Sequence, residues 1–391
     1  MIEKETSNKF LLWSCALFPI FGEYELKLIP ISLGQIVMMF CILWKLVLRQ
    51  RPTFNRKIII MGFALAAYNF LPGLLLYDSI SNTVNNSISI LLTFILLSFA
   101  FEKDIRLEVF YSYIKICGIV VTVFLFVQAF LHFKYNVNIH GRLSFLDSIF
   151  KCDNDLVFIW IDTGHPCSFF YEPAHYSIYM APIFMLSLLF KDYWLSIVCS
   201  VGMFVSTSST GYAVVVLSIA LFVFCSVKTN YKLALIPIMC VALWFLIVYS
   251  GVDLSKFQFE NINSNIRVFG TLQYFESFSF SDWLIGVGFN RLVEWGNIRG
   301  VINRGYANSF FFMIFSYGVF GLFVCIYLIR SLVKRKTWKP IAILVIALLF
   351  SDQMCFNRNF FYLIFIALLC AGYNIDTNNK MISDENRSIK Q

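Results

Sequence analysis

Charge is what this sequence has least of. Only 14% of its residues are Asp, Glu, Lys or Arg, against about 25% in a soluble domain. A surface that poor in charge would aggregate in water, so the sequence excludes an ordinary soluble fold and points to lipid as the solvent. No two cysteines stand at Cys-x-x-Cys spacing and no Asp-x-Asp-x-Asp-Gly loop occurs. Neither a zinc site nor an EF-hand is therefore expected, and no metal or other cofactor. There is no internal repeat, and the two halves differ in loop length, which weighs against a carrier built from duplicated halves. Carboxylates are scarce inside the apolar runs, where ion-coupled carriers keep theirs. The net charge of +8 is modest and sits mainly in short loops, so it reads as membrane topology and not as nucleic-acid binding.

What the chain does have is hydrophobicity: 59% of residues are apolar and the mean hydropathy is +0.73. A membrane-spanning helix needs about 20 such residues, fewer when buried among neighbours. Candidate spans fall at 10–22, 30–48, 57–77, 87–101, 108–131, 173–190, 194–207, 210–227, 232–250, 307–329, 340–353 and 359–373. The expected fold is thus all-α, a polytopic integral membrane protein of about twelve transmembrane helices, with residues 1–391 as one membrane domain. Met1 to Lys9 is polar and no small-residue cleavage site follows it, so the first helix is expected to remain as an anchor. Lys and Arg gather in alternate short connections, among them Lys45 to Lys57, Lys103 and Arg106, Lys191, Lys228 and Lys232, and Arg330 to Lys339. That bias puts both termini, including a polar tail at 374–391, in the cytoplasm. Two long loops, 132–172 and 251–306, then lie outside, which in a Gram-negative inner membrane is the periplasm. Most of the cysteines sit in apolar runs as small packing residues. Cys152 and Cys167 share the first long loop, where an oxidising compartment permits a disulfide.

The chemistry is expected in those loops. The first ends in Cys167-Ser-Phe-Phe-Tyr-Glu-Pro-Ala-His175 and runs straight into a helix. Pro173 suits a first helical turn because it has no N–H to leave unpaired. Glu172 beside it meets the positive end of the helix dipole. His175 and Tyr176, three and four residues on, would share its face, and Tyr179 would extend the stripe. One reading makes Glu172 a helix cap; the other makes Glu172 and His175 a carboxylate–imidazole pair for general-base work on a hydroxyl. Upstream, His140-Gly-Arg142 sets a guanidinium in the same loop, before Asp147, Asp153, Asp155 and Asp162. In the second loop, Ile266, Phe269, Leu272 and Phe275 at helical spacing suggest a helix lying on the membrane surface. Gly286-Val-Gly288 could let a backbone approach a ligand. Arg267, Arg291, Arg299 and Arg304 suit bidentate phosphate recognition. Ser206-Thr-Ser-Ser-Thr-Gly211 reads mainly as an N-cap and tight turn.

These pieces resemble the O-antigen polymerase (Wzy) family, within the larger group that includes the O-antigen ligases. The resemblance rests on Phe170-Tyr-Glu172-Pro173 opening a helix and on the Ser-Thr-Ser-Ser-Thr-Gly hairpin. It rests also on Asn265-Ile-Arg267 with Gly286-Val-Gly288, and on Gly305-Tyr-Ala-Asn308-Ser-Phe leading into the next helix. It covers about 140 to 325 and the number of spans. It implies a glycosyltransferase, with inverting transfer outside the membrane and without nucleotide sugar or metal. The growing chain would move from undecaprenyl pyrophosphate onto the next lipid-linked repeat unit, with membrane lipids and a chain-length regulator protein as partners. Glu172 or His175 would accept the proton. Arg142, Arg267, Arg291, Arg299 and Arg304, with Asn308 and Tyr176, would hold the substrate. Ligases tend to place His directly before that Asn; Ala307 stands there in this chain, which favours polymerase. A flippase of lipid-linked sugars, the rival of another class, calls for a polar central cavity.

Overall fold

The computed structural model describes residues 2–27, 31–48, 54–77, 80–100, 106–151, 164–226, 266–301, 307–333 and 339–372. These form helices α1 (Ile2–Phe21), α2 (Leu33–Val47), α3 (Arg56–Leu76), α4 (Ile80–Ala100), α5 (Leu107–Tyr135), α6 (Pro173–Leu189), α7 (Tyr193–Val205) and α8 (Ser209–Ser226). Three short helices follow, α9 (Ile266–Ser277), α10 (Phe280–Ile285) and α11 (Leu292–Arg299). The chain then closes with α12 (Ser309–Val333), α13 (Lys339–Ser351) and α14 (Arg358–Gly372). This is an α-helical membrane protein. Among the described residues, five helices are long and apolar enough to cross a bilayer, α3, α4, α5, α8 and α12, with shorter apolar helices beside them. Each sequence-expected span coincides with a helix except 232–250, which lies outside the described residues, as does the tail at 374–391.

Local signals place the helix starts. Ser32 and Gln35 form a reciprocal capping box on α2, and Asp192 caps α7 through the Leu195 amide. The Ser206–Gly211 run behaves as the turn its composition suggests, with the Ser208 hydroxyl accepting from the Gly211 amide at 3.4 Å. Gly211 has a second role, since a Cβ there would meet the Ser177 hydroxyl at 2.7 Å; α6 and α8 can therefore approach closely. α4 starts at Ile80, earlier than the hydropathy of 87–101 suggests. Its first turns are polar because their side chains hold the second long loop: Asn86 Nδ2 donates to the Phe289 carbonyl at 2.7 Å.

α6 is the centre of the bundle, buried along almost its whole length. The first long loop is partly structured, with a short 3₁₀ turn at Ser144–Leu146 and a two-residue strand β2 (Phe150–Lys151). β2 pairs antiparallel with β1 (Glu25–Leu26) in the α1–α2 turn, in the register Glu25 to Lys151. The sequence did not suggest this pairing. It is reinforced where the Tyr24 hydroxyl accepts from the Leu143 amide at 2.8 Å.

In the described part of the second long loop, α9 turns Tyr274 fully inward. Of the expected apolar stripe, Leu272 is exposed and Phe275 packs against Trp283, Phe311 and Phe315, while the side chains of Ile266 and Phe269 lie outside the described residues. Beyond it, Gly286-Val-Gly288 inserts against a break in α12 at Gly318 (φ 57°, ψ −138°). There the Val287 and Gly288 amides donate to the Phe315 and Ser316 carbonyls, each at 2.9 Å. A Cβ on Gly286 (φ 81°) would sit 2.4 Å from the Ser316 carbonyl. The glycines thus admit a backbone, as expected, but what approaches is α12 and not a ligand.

Candidate active site at one end of the bundle

The α1–α2 turn, the first long loop and the starts of α6 and α14 meet at one end of the bundle. Glu172 occupies the N-cap position of α6 in extended conformation (φ −151°, ψ 159°), yet its side chain makes no capping hydrogen bond. It reaches instead to His175, with Oε1 3.3 Å from Nε2. The expected carboxylate–imidazole pair is therefore present as geometry. Tyr176 and Tyr179 do not extend it. Both are fully buried, Tyr176 sharing a hydroxyl–hydroxyl hydrogen bond of 2.9 Å with Thr122 and Tyr179 donating to the Ala16 carbonyl at 3.0 Å. The i, i+4 rule holds along a helix, and Glu172 is not yet helical.

The other side of His175 meets two residues from distant parts of the chain. Arg358, the first residue of α14, donates from Nη2 to His175 Nδ1 at 3.4 Å. Glu23, in the α1–α2 turn, places Oε1 3.8 Å from the same nitrogen. Glu23 and Arg358 form an ion pair of 2.8 Å in which the Glu23 side chain is only 4% exposed. Burial pushes the Glu23 carboxyl up, but Arg358, His175 and the Tyr171 backbone outweigh it, and its pKa ends below the usual carboxylate value. The ion pair is close but poorly aligned. Glu23 Oε1 accepts no hydrogen bond and Arg358 Nε donates none, although both atoms are buried. A buried acceptor and donor left open are costly unless something else satisfies them. Gly22 makes the approach possible: Arg358 Cβ lies 2.6 Å from where a Cβ on Gly22 would be.

These two residues face a cleft of about 200 Å³ lined by Glu23, Glu25, Lys151, Tyr171 and Arg358. Glu25 and Lys151, opposed across the small sheet, form an exposed 3.5 Å ion pair at its mouth. The Tyr171 ring lies nearly parallel to His175, with centroids 5.9 Å apart. His175 and Glu172 thus stand one layer behind the cleft wall. Glu23, Glu25, Lys151, Tyr171 and Arg358 were missed as site residues because the α1–α2 turn, the first long loop and the start of α14 supply them from distant parts of the sequence.

The other sequence-selected residues are spread out. Arg142 is paired with Asp147 at 2.7 Å and borders a small void beyond Glu23 and Tyr24. Arg291 is almost fully buried. It pairs with Glu294, donates to Thr83 Oγ1 at 3.0 Å and stacks 4.4 Å from the Tyr77 ring, so it fastens the second loop to α3 and α4. Arg299 is exposed over Trp295, 3.9 Å from Asp282. Asn308 caps α12 by accepting from the Phe311 amide at 3.0 Å. Arg304 lies outside the described residues, and of Arg267 only the helical backbone is described. Arg142, Arg291 and Arg299 do not form one cluster: Arg142 belongs to the cleft region, and the other two belong to the second loop.

Cys167 is buried with a free thiol, its pKa pushed up to about 12 by burial; Cys152 lies outside the described residues. No group of three metal-ligating side chains occurs among the described residues. No family model, no curated protein sequence and no solved structure matches this chain.

Proposed function

We propose that the chain is an O-antigen polymerase-type glycosyltransferase of the bacterial inner membrane, joining undecaprenyl-pyrophosphate-linked repeat units at the periplasmic face. The observation that carries this reading is the Glu23–Arg358 ion pair in the wall of the cleft, with His175 behind it. Glycosyl transfer to a hydroxyl needs a group to take the acceptor proton. It also needs fixed cations where negative charge develops on the leaving pyrophosphate. A buried carboxylate beside a half-buried guanidinium supplies both. At about 200 Å³ the cleft falls below the roughly 300 Å³ at which drug-sized pockets begin, so it takes one sugar ring at a time. Tyr171 offers an apolar face for that ring. Lys151 at the mouth, Arg142 nearby and Arg267 are the further cations for the pyrophosphate; Arg291 is committed to holding the second loop.

The lipid-linked substrate would approach along the rim of the bundle. The end of α5 exposes Phe130, Phe133 and Tyr135, with Lys134 against two of these rings. Aromatic and basic side chains of this kind settle at the headgroup level of a bilayer. The short-loop charge bias then puts both termini in the cytoplasm, and a chain-length regulator would act on the same polymer.

The deciding experiment is a lipopolysaccharide gel on a deletion strain. Single repeat units should remain on lipid A while the long ladder disappears, and the intact chain should restore it. Complete loss of lipid-A-linked repeats would identify a ligase instead, and lipid-linked units accumulating on the cytoplasmic face would identify a flippase.

A further inference from the structure

Three side chains form a line from the cleft to the surface. Glu23 lies at the cleft wall with its side chain 4% exposed, His175 is next at 16%, and Glu172 is outermost at 28%. The His175 ring presents Nδ1 to Glu23 and Arg358 and Nε2 to Glu172. Nδ1 can accept from the Arg358 guanidinium in one tautomer or donate toward the Glu23 carboxylate in the other, while Nε2 faces Glu172. The imidazole thus stands between one carboxylate on the cleft side and another on the solvent side.

We propose that Glu23, His175 and Glu172 form a proton exit path for the transfer reaction. This rests on the glycosyltransferase reading above. The acceptor hydroxyl gives its proton to the Glu23 carboxylate as its oxygen bonds to the anomeric carbon, and the bond from that carbon to the lipid pyrophosphate breaks with its electron pair. The proton then passes from Glu23 to His175 Nδ1, which lies 3.8 Å from Oε1, so the two groups must draw closer for the transfer. The Nε2 proton moves to Glu172 and then to water. One proton leaves per linkage formed, and each carrier returns to its starting state. Glu23 and Arg358 are the catalytic residues, Glu23 taking the proton and Arg358 facing the leaving pyrophosphate, and Arg358 also orients the imidazole. Tyr171 stacks on the ring and shields it from the cleft. The charged groups that face His175 are Glu23 from the α1–α2 turn, Glu172 from the start of α6 and Arg358 from α14.

The test uses the full chain in proteoliposomes with purified lipid-linked repeat units. His175→Ala should lower turnover about a hundredfold at unchanged KM, the scale of a positioned proton-transfer group. Added imidazole should restore at least a tenth of the lost rate, because it fills the vacated place and carries the same proton. Glu23→Gln should be inactive and insensitive to imidazole. Glu172→Gln, at the exposed end, leaves packing intact and should slow turnover in a way that higher buffer concentration relieves. Should His175→Ala fail to fold, Glu172→Gln decides the question. Wild-type turnover in Glu172→Gln, or a folded His175→Ala whose loss imidazole does not relieve, overturns the path while the transferase reading stands. If the wild-type chain forms no polymer at all, both readings fall.

Discussion

The contact between α1 and α14 at Gly22 can be perturbed by a single methyl group. A Cβ on residue 22 would lie 2.6 Å from Arg358 Cβ, 2.8 Å from its Cδ and 2.9 Å from the Phe18 carbonyl. Ordinary contact begins at 3.4 Å, so Gly22→Ala requires a separation of about 0.8 Å (3.4 − 2.6). The nearest atom belongs to the stem of Arg358, so a change of rotamer at its tip does not relieve the clash. The start of α14 must move off α1, and the Glu23–Arg358 distance of 2.8 Å opens to about 3.6 Å. Overpacking of this kind costs roughly 1–3 kcal/mol. The assay is thermal unfolding of the detergent-solubilised chain together with the polymer ladder of a complemented deletion strain. The expected result is a midpoint lower by several degrees and a shortened or absent ladder at equal protein level. An unchanged midpoint with a full ladder would refute the argument that this close approach sets the ion pair.

Two further outcomes follow from the same geometry. The Glu23 carboxyl is held below its ordinary value of about 4.3, so the stability from its pairing is present above that value and is lost as pH falls through the lower folded one. The unfolding midpoints of the wild type and Glu23→Gln should differ at pH 7 and converge below about pH 4; a constant gap down to pH 3 would contradict the assignment. Tyr176→Phe removes only the buried hydroxyl pair with Thr122. It should cost about 1 kcal/mol of stability and leave the ladder intact, whereas a lost ladder at full stability would return Tyr176 to the substrate site.

The helices could be read from the sequence because long apolar runs in a low-charge chain have few alternatives to spanning a membrane. The Glu172–His175 pair could be read because its partners are three residues apart. The rest of the cleft was hidden because its parts meet only through the bundle. Glu23 sits in a turn that looks like an ordinary connection, and Arg358 looks like a basic residue at a helix end. Nothing local distinguishes them until α1 and α14 pack together. Gly22 was the one nearby signal, a small residue directly before an acidic one at a helix end, but that is weak without the partner helix. Tyr176 does not share a face with Glu172 because Glu172 is still extended and the helix begins one residue later. The arginines of the second loop were grouped by composition, yet Arg291 turns inward, where Tyr77, Thr83 and Glu294 satisfy it.

The break in α12 changes how sequence variation in the second loop will look. At Gly318 the helix leaves two carbonyls without their own rungs, and the Val287 and Gly288 amides supply the missing donors. Further ties run from the Asn69 side chain to the Phe289 amide and from the Tyr77 hydroxyl to the Val287 carbonyl. Residues 284–289 therefore act as a splint for a fractured helix. In a screen for inactive variants this stretch would stand out as strongly as a catalytic motif, while every defect found there would be one of assembly.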